Sequence, residues 1–364
     1  EPDQAAELLY KMARQYQAGG RWDLAFEMID LLITRYPNHA LVEPALVWLM
    51  QSLASSEVAW HSASGSRLPA APPAMSIEQP AKPGVAPAPV PTDNRSEQAL
   101  AIARLLEQRW AAAYAEPAVQ FPLAALYRRQ LPLEGADKLY RNFASGRPHD
   151  PWWSCAAAQL WLREPVDECP KPIWHAAVAR SKPRLDGRLD DAIWLSAKAV
   201  ELHSGLNDDR DWPARALAAV DDQFLYLAVE CRDAPGCQYT QSTAQRPRDP
   251  DLADRDRVEI YLDLDCDWVS YFRLVIDHRG WAAEDCWHDA SWNPRWFVAA
   301  EQHSGGWTVE AALPLDALGR QRPKSKDVWA VGIQRIVPQV GFQSWSTPAA
   351  VKPIAEGFGL LMFD

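Results

Sequence analysis

The sequence predicts a multidomain chain in which a half built from α-helical hairpins is followed by an antiparallel two-sheet β-sandwich. Three observations carry this. The chain has 364 residues, more than one core needs when a domain takes roughly 150. Apolar residues recur at three- and four-residue steps through the first half, the spacing of a helix with one buried face. After Pro170 they recur at two-residue steps, the spacing of a half-buried strand.

The helical reading begins with Leu9, Met12, Tyr16, Leu24, Met28, Leu31 and Leu32. Gly19-Gly20 breaks the first helix. The second stops at Tyr36-Pro37-Asn38, because proline has no N–H to continue the ladder. A third runs from Leu41 to Ala54. Tyr16, Ala25, Ile29, Leu32 and Pro37 fall where a tetratricopeptide repeat places its characteristic residues, so residues 1–61 resemble such a repeat region. An ordinary helical hairpin shares the spacing by packing alone. Residues 62–94 are rich in proline and poor in large apolar side chains, which predicts an extended linker. A second helical region is expected over 95–176, with Leu100, Ala103, Leu105, Leu106 and Trp110 on one face, then Leu123–Arg129 and Ala136–Phe143. Arg147–Leu162 echoes Arg35–Leu49 as a proline-broken turn followed by a helix ending in Trp-Leu.

Strands are expected throughout 177–364. Val258, Ile260, Leu262 and Leu264 alternate with Glu259, Tyr261, Asp263 and Asp265, one set facing a core and the other facing away. Phe272, Leu274 and Ile276 form the next strand, a turn follows at Asp277–Gly280, and Trp307, Val309, Ala311 and Leu313 form another. Turn residues at Asp221-Asp222-Gln223 and Ser304-Gly305-Gly306 suit short antiparallel connections.

Within this region stand KPRLDGRLDDAIW (Lys182–Trp194), VDDQFLYLAVECRD (Val220–Asp233), DRVEIYLDLD (Asp256–Asp265), GGWTVEAALPLDALG (Gly305–Gly319) and EGFGLLMF (Glu356–Phe363). In this order they resemble the family 9 carbohydrate-binding modules. The resemblance implies a non-catalytic sandwich related to extracellular sugar-binding domains. It further implies that Glu259 contacts a sugar and that an arginine on the following strand, Arg273, does the same. The family's sandwiching tryptophan is missing, since the stretch around Ala253 holds none. From the residues themselves, LDGRLDDAIW reads as turn chemistry closed by Trp194 as an apolar plug.

Candidate ligand contacts are Glu259, Tyr261, Tyr271 and Arg273, because carboxylates and guanidiniums pair with hydroxyls while rings stack on C–H faces. A surface ion pair is the structural alternative. Trp287 and Trp292, in a segment that also holds Trp281 and Trp296, are candidates for the missing platform; packing is the alternative. Asp263, Asp265 and Asp267 have the oxygen chemistry of a structural calcium site, although a solvated acidic turn fits them too. No other cofactor is expected.

The charge sum of −11 disfavours nucleic acid and anionic lipid as partners. No uninterrupted apolar run is long enough for a membrane span. GxSxG, HExxH and phosphate-loop motifs are lacking, so no enzyme is expected. Six cysteines suggest the disulfides Cys155–Cys169, Cys231–Cys237 and Cys266–Cys286 and hence an exported location, periplasmic, cell-surface or extracellular; six thiols are the alternative. The expected function is an exported protein whose sandwich binds a saccharide or cell-surface glycan and whose helical region docks a protein partner. The other reading is a structural subunit of a cell-surface assembly, with self-association and no sugar.

Overall fold

The computed structural model describes residues 2–60, 94–129, 134–148, 150–206, 208–240, 246–346 and 352–364. The expected linker lies outside them, save Asn94, which opens a helix. The chain divides into two compact units, one comprising residues 1–139 with His288–Ser291, the other residues 140–287 with 292–364.

The first unit contains α1 (Pro2–Ala18), α2 (Trp22–Arg35), α3 (Val42–Ala54), α4 (Asn94–Arg109), the short α5 (Ala111–Ala115) and α6 (Pro117–Arg129); α7 (Glu134–Ala144) follows. Ala25, Ile29 and Leu32 are fully buried on α2, as their three- and four-residue spacing requires. The helix ends one residue before Tyr36, whose N–H donates to Leu32 O, with Pro37 next. At its start the Trp22 ring stacks on Trp48, centroids 6.0 Å apart, and Phe26 meets both edge-on. Each indole N–H is satisfied: Trp48 Nε1 donates to Gln17 Oε1 at 3.2 Å and Trp22 Nε1 to Asp289 Oδ2 at 2.7 Å. Gly20 has φ +73°, and a Cβ there would lie 2.1 Å from Ser291 Oγ; the break after α1 needs glycine for both reasons.

The second unit begins with α8 (Pro151–Trp161), capped by the Asp150 carboxylate accepting from Trp152 N. It then contains β1 (Ile173–Val178), α9 (Ala192–Ser196), β2 (Val200–Ser204), β3 (Ala214–Val220), β4 (Phe224–Arg232), β5 (Arg257–Asp263) and β6 (Phe272–Asp277). β7 (Ala282–Cys286), β8 (Phe297–His303), β9 (Gly306–Pro314), β10 (Val328–Val337), β11 (Gly341–Ser344) and β12 (Gly359–Phe363) complete it. Hydrogen bonding runs in the order β7-β6-β5-β10-β11-β2-β3-β4-β9-β8. An antiparallel two-sheet sandwich was expected; most ladders are antiparallel, the β11–β2 ladder links the strands into one hydrogen-bonded order, and β1 pairs in parallel with both β12 and β3.

The interior holds a polar cluster that strand periodicity does not announce. Arg335 on β10 is fully buried; its Nε donates to Asp256 Oδ1 at 3.0 Å and its NH2 to Asp256 Oδ2 at 2.6 Å. Its remaining donors reach Trp212 O and Arg232 O. Asp256 Oδ2 also accepts from Tyr239 OH at 2.7 Å and Trp307 Nε1 at 3.2 Å.

Trp194 plugs the unit as expected, and the residue that receives it is Glu310 on β9. Glu310 Oε1 accepts from Trp194 Nε1 at 2.7 Å, while Oε2 accepts from Asp186 N and Gly187 N at 3.0 and 2.8 Å. Burial pushes the Glu310 carboxyl above its usual range despite these donors. Gly187 has φ +88°, and a Cβ there would lie 2.5 Å from Glu301 N, so the turn admits no side chain. Gly187→Ala is expected to destabilise the protein by about 1–3 kcal/mol, read as a lowered denaturation midpoint.

No disulfide joins any of the six cysteines, which corrects the expected Cys155–Cys169, Cys231–Cys237 and Cys266–Cys286 pairings. The side chains are directed elsewhere. Cys155 Sγ lies on α8 and donates to Glu356 O at 3.4 Å. Cys231 is buried opposite Trp307 in the β4–β9 ladder, Cys266 Sγ contacts Val328 O, and Cys286 stands opposite Phe272 across β6–β7. Burial pushes the thiols of Cys155 and Cys231 up to about 12, so they are protonated at neutral pH. Alkylation of the native protein at pH 8 is expected to label Cys169 and Cys237, which are partly exposed, and to spare Cys155 and Cys231 until denaturant is added. Peptide mapping reads this directly.

His278 lies in the β6–β7 turn, buried, with neither ring nitrogen hydrogen-bonded among the described residues. Burial lowers its pKa. The unfolded imidazole takes up a proton below about pH 6.5 while the folded one resists it. Stability therefore falls as pH drops below about 6.5 and levels off once the folded group also protonates. A His278→Leu variant is expected to lose this part of the pH dependence, measured by denaturant titration at pH 7.5 and 5.5.

Candidate functional site

Along β5, Val258, Ile260 and Leu262 face the core, which leaves Arg257, Glu259 and Tyr261 on the opposite face. Register then assembles the site. Tyr261 stands between Arg273 on β6 and Gly332 on β10, Glu259 between Val275 and Gln334, and Arg273 beside Asp285 on β7.

Glu259 is 2% exposed. Its Oε1 accepts from Arg257 Nε at 2.8 Å and pairs with Arg273 NH2 at 3.2 Å, and its Oε2 accepts from Tyr261 OH. Burial alone would raise the Glu259 pKa, but Arg273, Tyr261 and Arg257 together outweigh it and hold the carboxyl below its usual range. Tyr261 OH in turn accepts from Gln334 Nε2 at 3.1 Å. Arg273 continues outward, NH1 donating to Asp285 Oδ2 at 3.2 Å. Side-chain exposure is 3% at Glu259, 35% at Arg273 and 13% at Asp285, so Arg273 is the most open member. The open edge of the network is thus a guanidinium beside a carboxylate, a donor and an acceptor of the kind that vicinal hydroxyls satisfy.

Aromatic rings support the network from one side. Phe358 stacks on Tyr261, centroids 5.6 Å apart, and Tyr271 meets both edge-on. Gly332 makes room, since a Cβ there would lie 2.5 Å from Phe358 Cε1. The cleft beside these rings, lined by Tyr261, Gln334, Ser344, Ser346 and Lys352, has a volume of about 20 Å³, room for roughly one water molecule. A larger ligand would have to engage the Arg273–Asp285 edge.

Glu259, Tyr261, Tyr271 and Arg273 are therefore brought together as the sequence suggested. Trp287 and Trp292 do not join them as an exposed platform, being 6% and 2% exposed. Trp292 packs on Phe272, a core residue of β6, with centroids 4.4 Å apart, and donates from Nε1 to Ala317 O. Trp296 is buried too, its Nε1 donating to Glu284 Oε2. In that segment Trp281 is the half-buried one, with the Arg279 guanidinium 3.8 Å from its ring centroid. Asp263 and Asp267 shape the turn after β5: Asp263 accepts from the N–H groups of Asp267 and Trp268, Asp267 from those of Val269 and Ser270. Asp265 lies buried between them.

Arg257, Gln334, Asp285 and Phe358 were not singled out in the sequence. Arg257 was recoverable from the two-residue period that gave Glu259. Gln334 and Phe358 required the pairing partners of β10, which no local pattern encodes.

Residues 185–339 match the family described as carbohydrate family 9 binding domain-like. No curated protein matches the chain. Among solved structures, a family 9 carbohydrate-binding module from Caldicellulosiruptor kristjanssonii in complex with cellotriose is 17% identical, aligning over 53% of this chain and 93% of its own with a TM-score of 0.41. A complex of such a module from that organism with glucose gives the same identity and TM-score over 53% of this chain and 96% of its own. Residues 185–339 are thus similar to that family's domain.

Proposed function

We propose that the second unit binds a saccharide at the open edge of the Glu259–Arg273–Asp285 network, as a non-catalytic module. The observation that carries this is the network itself: a buried, ionised Glu259 locked between two guanidiniums orients Arg273, whose partly exposed guanidinium is paired with Asp285. A carboxyl held below its usual range and already accepting from three side chains is a poor proton donor at neutral pH, so the arrangement suits recognition rather than acid–base chemistry. The match of residues 185–339 to a carbohydrate-binding family supports the same reading.

In this proposal the α1–α3 hairpins, with their repeat-like spacing, dock a protein partner. An exported location rests on the kinship of the matched domain alone, because the cysteines no longer argue for it. Among the described residues no helix is long and apolar enough to cross a membrane.

Glycan-array binding of the full chain tests the reading. Arg273→Ala and Asp285→Asn are each expected to weaken the array hit by about 1.5–3 kcal/mol, the scale of hydrogen bonds to charged groups. Unchanged binding in both variants would remove the site from this face. The burial of Trp287, Trp292, Tyr271 and Phe358 favours a second reading, an assembly subunit without a sugar. Light scattering after size exclusion would then show a stable oligomer, with no array hit.

A further inference from the structure

A cavity of about 300 Å³ opens where β2, β3, β4 and the β8–β9 turn meet, a volume at the lower end for small-ligand sites. Register sets Glu201 opposite Arg215 and Arg215 opposite Glu230 across its wall. Arg215 is committed, its Nε and NH2 reaching Glu230 Oε2 at 2.7 and 2.6 Å. Arg232 and His303 line the same cavity, and their side chains make no hydrogen bond or ion pair among the described residues. The same holds for the Glu201 carboxylate.

The position of His303 depends on Gly306. A Cβ at 306 would lie 2.9 Å from His303 Cε1 and 2.5 Å from Cys231 O, so glycine is what lets the imidazole fold over the end of β9. Gly305, with φ +87°, makes the turn that presents Ser304 at the rim. The floor is Cys231, whose thiol burial keeps protonated, so the floor offers no thiolate. What it offers is an unpaired guanidinium and an imidazole as donors, with an unpaired carboxylate and a hydroxyl for polar groups around them.

We propose that this cavity is a second ligand site, taking a small polyhydroxylated carboxylate of the uronic acid class. Arg232 holds the carboxylate as a charge-assisted pair, His303 contributes a further N–H, and Glu201 with Ser304 takes the hydroxyls. The site lies on different strands from the Glu259 network, so it stands or falls independently of the function proposed above.

Calorimetric titration of the full chain with sodium D-glucuronate tests it, carried out in the Arg273→Ala background so that the other face is disabled. Glucuronate is expected to bind, with D-glucose and acetate each weaker by roughly tenfold or more, because one lacks the carboxylate and the other the hydroxyls. Adding Arg232→Glu should weaken glucuronate by roughly tenfold or more, and His303→Ala should weaken it to a lesser degree. Both side chains are exposed, so thermal midpoints should stay unchanged and report intact folding. Glucuronate affinity unmoved by Arg232→Glu, equal affinity for acetate or glucose, or no glucuronate binding at all would overturn the proposal.

Discussion

Replacing Asp256 by alanine is expected to cost about 3–5 kcal/mol of folding stability, the scale of leaving one partner of a buried ion pair unpaired. Asp256 accepts from Arg335 Nε and NH2, from Tyr239 OH and from Trp307 Nε1. Its removal strands a fully buried guanidinium between the Trp212 and Trp307 rings, 5.3 and 5.7 Å from their centroids. Arg335→Met, which removes the cation and keeps the volume, should cost less than Asp256→Ala, because an apolar group has no charge to leave unpaired. The exposed Arg215–Glu230 pair gives the control: Arg215→Ala there should change stability by about 0–1 kcal/mol. Denaturant titration of the three variants measures all of this, and equal costs for Asp256→Ala and Arg215→Ala would contradict it.

Trp292→Ala is expected to cost about 3–5 kcal/mol as well, here through the cavity left in a packed interior. The ring is almost fully buried on Phe272 and its N–H reaches Ala317 O. The decisive point is where the loss appears. A ring on a sugar platform would lower affinity and leave the denaturation midpoint near the wild-type value; a core ring lowers the midpoint. Comparing the midpoint with saccharide affinity in the folded variant separates the two.

That contrast shows what the sequence could and could not carry. The two-residue period placed Glu259 and Tyr261 on the face away from Val258 and Ile260, and the same alternation placed Arg273, because strand geometry is local. For Trp287 and Trp292 the sequence left platform and packing both open, and burial decides for packing. Trp287 has a left-handed backbone, φ +47°, as does His288 at +74°, and such a turn re-aims side chains in a way no alternation pattern reports. The polar interior failed for another reason. Asp256 just precedes β5 and Arg335 lies on β10, far apart in sequence, and a buried charge reads locally as an exposed one until its partner is known. Glu310 is similar: its receptor role for Trp194, Asp186 and Gly187 is spread over distant segments. The cysteine pairings failed because position along the chain does not report where a thiol is directed: Cys155 reaches the Glu356 carbonyl and Cys231 is buried in the β4–β9 ladder.

The central claim, that the second unit recognises a saccharide at the Arg273–Asp285 edge, is tested most directly by a crystal structure of the protein with its strongest glycan-array ligand. The account predicts sugar hydroxyls within hydrogen-bonding distance of the Arg273 guanidinium and the Asp285 carboxylate, with Glu259 still bound to Arg257 and Tyr261. Sugar density elsewhere on the protein, with Arg273 and Asp285 untouched, would contradict it.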